Sequence, residues 1–162
     1  MSKNKKTVVI FGGSGNIGLE IIKNLNLNNY NIYVVDKISE KDWIKNNIDC
    51  LGYYQTDIND STTLINIIDR ISDNSIEISS VINVSYPRSN AYGIPLEDVS
   101  LKIFNENVNL HLGGYYNVMR LFIKLFLKQG HGNIINFSSI LGVATPKFDH
   151  YLNTSIVSPI EY

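Results

Sequence analysis

Short, almost wholly apolar runs alternate along the chain with longer stretches in which apolar positions recur every three or four residues. Thr7 to Phe11 is such a run, the pattern of a strand covered on both faces. A glycine-rich turn from Gly12 to Gly18 follows it. Ile17, Ile21, Ile22 and Leu25 then fall on one face of a helix reaching Leu27, which Asn28-Asn29-Tyr30-Asn31 breaks. Ile32 to Val35 reads as a second buried strand ended by Asp36, and Ser39 to Asn47 as a short helix. Leu51 to Gln55 reads as a third strand, with Asp57 closing it. Asp60 or Ser61 caps a helix through about Ile71. Ile76 to Val84 is a fourth strand, Pro87 to Pro95 a loop, and Leu96 to Leu127 a long, mostly helical stretch. Asn133 to Phe137 is a fifth strand leading into Ser138-Ser139, and beyond Gly142 the pattern is irregular.

Strands that alternate with helices imply a parallel sheet with helices on both faces. The glycine turn after the first strand narrows this to an α/β, Rossmann-like doubly wound sheet of order 3-2-1-4-5. Residues 1–162 are read as one such domain. Composition agrees: 162 residues, 44% hydrophobic and 18% charged, fit one globular unit. A net charge of -1, from 14 basic and 15 acidic residues, argues against a nucleic-acid or polybasic membrane binder. A single cysteine, Cys50, excludes an internal disulfide framework and a cysteine-only zinc site. His111, His131 and His150 show no ligand spacing, so no metal site is expected. No apolar run approaches the ~18 residues of a membrane span, and Val8 to Phe11 is too short for a signal-peptide core. The cytoplasm is therefore the expected compartment.

The turn reads Gly12-Gly13-Ser14-Gly15-Asn16-Ile17-Gly18. Its glycines permit a tight turn and let backbone N–H groups approach a pyrophosphate at a helix N-terminus, while Gly18 lets the helix pack closely on the sheet. Asp36, eighteen residues after Gly18, suits the ribose hydroxyls of a dinucleotide. Its carboxylate would repel a 2′-phosphate, which favours NAD over NADP. The neighbouring Lys37 acts in the opposite sense. Asp57 suits either the adenine edge or a loop cap.

These residues resemble the short-chain dehydrogenase/reductase family, and the resemblance runs from Thr7 to the last residue. The family's Asn-Asn-Ala-Gly segment corresponds to Asn83-Val84-Ser85-Tyr86, of which only Asn83 is kept. Asn109 matches the family's helix asparagine, and Gly130 to Ser139 its fifth strand and catalytic serine, Ser139. Tyr86 to Gly93 and Asn105 to Gly114 are similar to members from flagellin modification and surface-sugar biosynthesis. Two departures stand out. Asn16 replaces the middle glycine of the compact branch, and the spacing Gly12, Gly15, Gly18 is that of the extended, sugar-nucleotide branch. The family's Tyr-x-x-x-Lys motif is also incomplete. Tyr151 is followed four residues later by Ser155, and Tyr162, the better match in context, is the last residue. The chain is accordingly expected to be C-terminally truncated and to lack the family's last two strands.

The resemblance implies hydride transfer between nicotinamide and an alcohol or ketone, here of a sugar or sugar nucleotide. Cofactor binding would fall to Gly12, Ser14, Gly15, Asn16, Ile17, Gly18, Asp36, Asp57 and Asn83, and catalysis to Asn109, Ser139 and Tyr162. A free phenol has a pKa of about 10, so the tyrosine needs the motif's lysine to ionise near neutral pH. Without that lysine the chain as given is expected to be impaired. The alternatives are an epimerase or dehydratase of the extended branch and a non-catalytic NAD-binding relative. The expected partners are a small-molecule substrate and, at full length, further copies of the chain. Arg88 suits an anionic substrate group or a solvated loop equally. Tyr115 and Tyr116 are read as helix packing. Leu121, Phe122, Leu125 and Phe126 are expected to be partly exposed and to favour self-association.

Overall fold

A computed structural model describes residues 5–72, 76–144, 147–151 and 153. They group into two compact units: residues 1–85 with 115–137, and residues 86–114 with 138–162.

The first unit is built on a five-stranded parallel sheet of order β3-β2-β1-β4-β5. Its strands are β1 (Thr7–Phe11), β2 (Asn31–Asp36), β3 (Gly52–Gln55), β4 (Ile78–Asn83) and β5 (Asn133–Asn136). The order and the helices between strands match the doubly wound reading. Every residue of β1 is buried, as its unbroken apolar run predicts. Alternation along the strands sorts the core into two layers. Val9, Phe11, Tyr33, Val35 and Val81 face α3 (Ser61–Ser72) and α5 (Gly114–Gln129). Val8, Ile10, Ile32, Val34 and Ile82 face α1 (Asn16–Leu27) and α2 (Glu40–Ile44), where Trp43 stacks on Tyr53 with ring centres 5.1 Å apart.

Side chains finish what the ladders leave open. The Gln129 side-chain amide donates to the carbonyl of Ile78 (3.0 Å) and accepts from its N–H (3.3 Å), so it closes the start of β4 as a neighbouring strand would. Asp60, not Ser61, caps α3: its Oδ1 accepts from the Thr63 amide at 3.0 Å. Burial of Cys50 pushes its thiol pKa up.

One expectation fails here. Leu121, Phe122 and Phe126 are buried, with Phe122 edge-on to Phe11 at 5.8 Å, and of the four Leu125 alone is partly exposed as expected. The exposed apolar positions of α5 are Tyr116, Ile123 and Leu127 instead. The inward stripe of α5 is offset from them because Val118, Leu121, Phe122 and Phe126 pack on the sheet and α3.

The second unit contains the loop after β4, a short 3₁₀ turn (Leu96–Asp98), α4 (Leu101–Val108) and a π-helical turn (Asn109–Gly113). Ser100 caps α4 through the Ile103 amide at 3.3 Å. Two further 3₁₀ turns, Ile140–Gly142 and Phe148–Tyr151, follow later in the chain. No helix among the described residues is long and apolar enough to cross a membrane, and no cluster of three metal-ligating side chains occurs among them.

Candidate functional site

The first unit gathers all nine residues expected to hold a cofactor, at the C-terminal ends of its strands. The turn between β1 and α1 is closed by backbone contact. Gly12 has φ +77°, and a Cβ there would lie 2.7 Å from the backbone of Ser85. A Cβ on Gly18 would run into the Gly12 carbonyl and lie 2.6 Å from Gly13 Cα. The protein itself therefore demands glycine at 12 and 18.

Gly15 is different. A Cβ there would meet only the Gly12 carbonyl, at an ordinary 3.5 Å, and its φ of -76° suits any residue. It is the N-cap of α1 and supplies no side-chain cap, and no acidic residue stands in the first turn. The amide donors that open α1 are thus left for an anion, and Gly15 gives that anion close backbone approach. These are the properties a pyrophosphate requires.

Asp36 ends β2 and turns its carboxylate back toward the glycine turn. Oδ2 accepts from the Ser14 amide at 2.9 Å, and Oδ1 from the Lys37 amide at 2.7 Å. Below it, the Tyr53 hydroxyl donates to the Ile38 carbonyl at 2.7 Å. Burial, then the Asp36 charge, pushes the Tyr53 pKa up to about 12. Asp57 follows β3 and accepts from the Asn59 amide at 2.9 Å, the loop-capping alternative raised by its position. Asn83 ends β4 fully buried. Its Oδ1 accepts from the Ser85 amide at 3.1 Å, while its Nδ2 has no hydrogen-bond partner among the described residues. A buried donor without a partner costs about 1–3 kcal/mol.

Tyr115 belongs to this site although its sequence reading was packing alone. Its hydroxyl donates to the Ser85 carbonyl at 2.9 Å, with the Asn83 carbonyl at 3.3 Å, and so fixes the chain where it leaves β4. Nothing in its helical spacing signalled this.

The second unit carries two of the three residues expected in catalysis. Ser139 is half-buried and caps the following 3₁₀ turn, accepting from the Leu141 amide at 3.1 Å, whereas Ser138 is exposed. Asn109 opens the π-helical turn and is exposed; Asn107, two residues earlier, is the buried asparagine. A π turn holds one residue more than an α turn, and no residue type announces it in sequence. Tyr162 lies outside the described residues.

A glycine turn joined to an uncapped helix, with an acidic acceptor ending the next strand, defines a dinucleotide-binding sheet of the doubly wound class. The chain belongs to the short-chain dehydrogenase family, whose model matches residues 6–153. It is 35% identical over 165 residues to post-translational flagellin modification protein A of Campylobacter coli, covering 97% of this chain and 64% of that protein. A short-chain dehydrogenase of Leptospira borgpetersenii with bound NAD+ superposes with a TM-score of 0.75 at 24% identity, over 93% of this chain and 58% of that one. A variant of ElxO with NADPH bound superposes equally well, at 0.75 and 26% identity, over 89% and 59%. The chain thus spans less than two thirds of the length of each of these relatives.

Proposed function

We propose that this chain is the cofactor-binding part of an NAD-dependent oxidoreductase acting on the alcohol or ketone of a sugar or sugar nucleotide, in the modification of flagellin or another surface glycan. The observation that carries it is the glycine turn: glycine is forced by the protein at 12 and 18, while Gly15 leaves bare backbone at the uncapped N-terminus of α1 with no packing reason for it. The likeness to flagellin modification protein A supports the setting.

In this reading the amides of Asn16, Ile17 and Gly18 hold the pyrophosphate, and Ser14 lines the same turn. Asp36 accepts from the ribose hydroxyls, while Asp57, through its cap on the Asn59 amide, and Asn83, through its bond to the Ser85 amide, shape the strand ends beside it. The Asp36 carboxylate disfavours a 2′-phosphate, so NAD binds before NADP. The dinucleotide, when bound, supplies a hydride donor or acceptor. Ser139 Oγ orients the substrate oxygen by hydrogen bonding, and Tyr162 Oη exchanges a proton with it. Asn109 holds a water that connects the proton path to solvent.

The test is fluorescence titration of the full-length protein with NADH and NADPH, followed by a screen of sugars for NADH production. Saturable NADH binding at least tenfold tighter than NADPH, with turnover on a sugar, is the expected result. Failure to bind either nucleotide overturns the reading. Tight retention of NAD through turnover, with no NADH released, would replace it with an epimerase or dehydratase.

A further inference from the structure

The loop after β4 carries a guanidinium that no carboxylate claims. Its shape follows from three local constraints. Pro87 fixes one φ, the Tyr92 amide donates to the Ser89 carbonyl at 3.2 Å, and Gly93 takes φ +84°, which a residue with a Cβ rarely adopts. The loop therefore folds back, and the Arg88 guanidinium lies over the Tyr92 ring, its Cζ 4.6 Å from the ring centre and 5.8 Å from that of Tyr86. Tyr86 stands edge-on to Tyr92 at 5.9 Å and to His111 at 4.6 Å. His111 is carried by the π-helical turn, so two separate segments of the second unit build one block beneath the arginine.

An exposed loop arginine usually spends its rotamer freedom in water. A guanidinium held over a tyrosine ring is favoured in one placement. The N–H groups lie in the plane, in a fork that matches a carboxylate or phosphate. Here that fork is unused: no carboxylate among the described residues lies within 4.0 Å of Arg88, and its guanidinium makes no hydrogen bond to any of them. The next residue, Ser89, is 8% exposed, and its hydroxyl has no hydrogen-bond partner among the described residues. A held cation with a free fork has the composition of an oxyanion receptor.

We infer that Arg88 is a specificity residue that receives an oxyanion of the substrate, a carboxylate or a phosphate, with Tyr92 as its platform. The inference rests on the oxidoreductase reading and narrows its substrate class from sugars in general to acidic or phosphorylated sugars. Tyr86 and His111 act through Tyr92 and Arg88 as packing beneath the receptor.

The probes are inorganic phosphate and acetate, each titrated against the NADH-saturated full-length protein and followed by ligand-observed NMR at constant ionic strength. One of the two is expected to show saturable line broadening. Phosphate alone assigns a phosphorylated sugar, acetate alone a sugar acid. Arg88→Ala is expected to weaken the response at least fivefold, and Arg88→Lys, which keeps the charge but loses the fork, to weaken it less. Unchanged NADH binding by both variants shows that they fold. No saturable response to either anion overturns the inference, as does an Arg88→Ala response equal to the wild type. A wild-type protein that binds the anion but no NADH would instead sink the oxidoreductase reading and leave the receptor standing.

Discussion

The Ser14 amide and the Asp36 carboxylate meet at 2.9 Å across twenty-two residues of chain, tying the glycine turn to the end of the neighbouring strand. One group thus ties the turn proposed for the phosphates to the strand end proposed for the ribose. Hydrogen bonds to charged groups contribute about 1.5–3 kcal/mol each. Asp36→Ala is expected to lower the urea midpoint by an amount worth about 1–2 kcal/mol, since the site is partly solvated. It should also weaken NADH at least tenfold while NADPH is little changed or tighter, because the repulsion of a 2′-phosphate is gone and Lys37 remains. Equal losses for the two nucleotides would show that Asp36 acts on turn structure alone.

The glycines of the same turn separate folding from binding. Gly18→Ala places a methyl group against the Gly12 carbonyl and Gly13 and should destabilise by about 2 kcal/mol or more. Gly15→Ala meets only ordinary contact and should leave stability within about 0.5 kcal/mol. It should still weaken NADH binding at least tenfold. Thermal melts with and without NADH distinguish the two. Retained nucleotide affinity in Gly15→Ala would remove the main support for the cofactor site.

Tyr53 gives a pH signature. Its folded pKa is pushed up to about 12, above the unfolded value of about 10. The raised value stabilises the fold fully below pH 10. The unfolded chain ionises first above that, so the contribution is lost as pH rises through 12. Tyr53→Phe should therefore flatten part of the alkaline fall in stability between pH 10 and 12, measured as the difference in urea midpoints. Parallel curves for the two proteins would show that the ring is better solvated than its packing on Trp43 implies.

Ser139 is both a cap and a proposed catalytic hydroxyl, and the roles predict different magnitudes. Loss of the cap in Ser139→Ala costs about 1 kcal/mol of stability. Loss of a hydroxyl that orients the reacting oxygen costs about 100-fold in turnover. A decline in kcat no larger than the loss of folded protein would leave Ser139 a cap only.

The sheet was legible because β1 and β2 are buried on both faces and write that burial as unbroken apolar runs. The glycine turn and Asp36 were legible because their chemistry needs fixed residue types at fixed spacing. The face of α5 was not: a helix rich in apolar residues around much of its circumference presents several candidate stripes, and packing against Phe11 chose Leu121, Phe122 and Phe126. The π turn at Asn109–Gly113 leaves no trace in residue type, so the exposure of Asn109 and the burial of Asn107 are not legible in the sequence. At Arg88 the sequence shows the arginine, but its placement over Tyr92 depends on a positive φ at Gly93 and on a ring from another segment.

The gradient of burial across the sheet ranks its strands by how readily they open. β1 is buried throughout, while β3 is only half-covered. Amide protons should therefore exchange earlier from Gly52 to Gln55 and last from Val8 to Phe11. The glycine turn springs directly from that slowest strand. A nucleotide seated there would be anchored to the segment least disturbed by local breathing, and its residence time would be insulated from fraying at the sheet's margins.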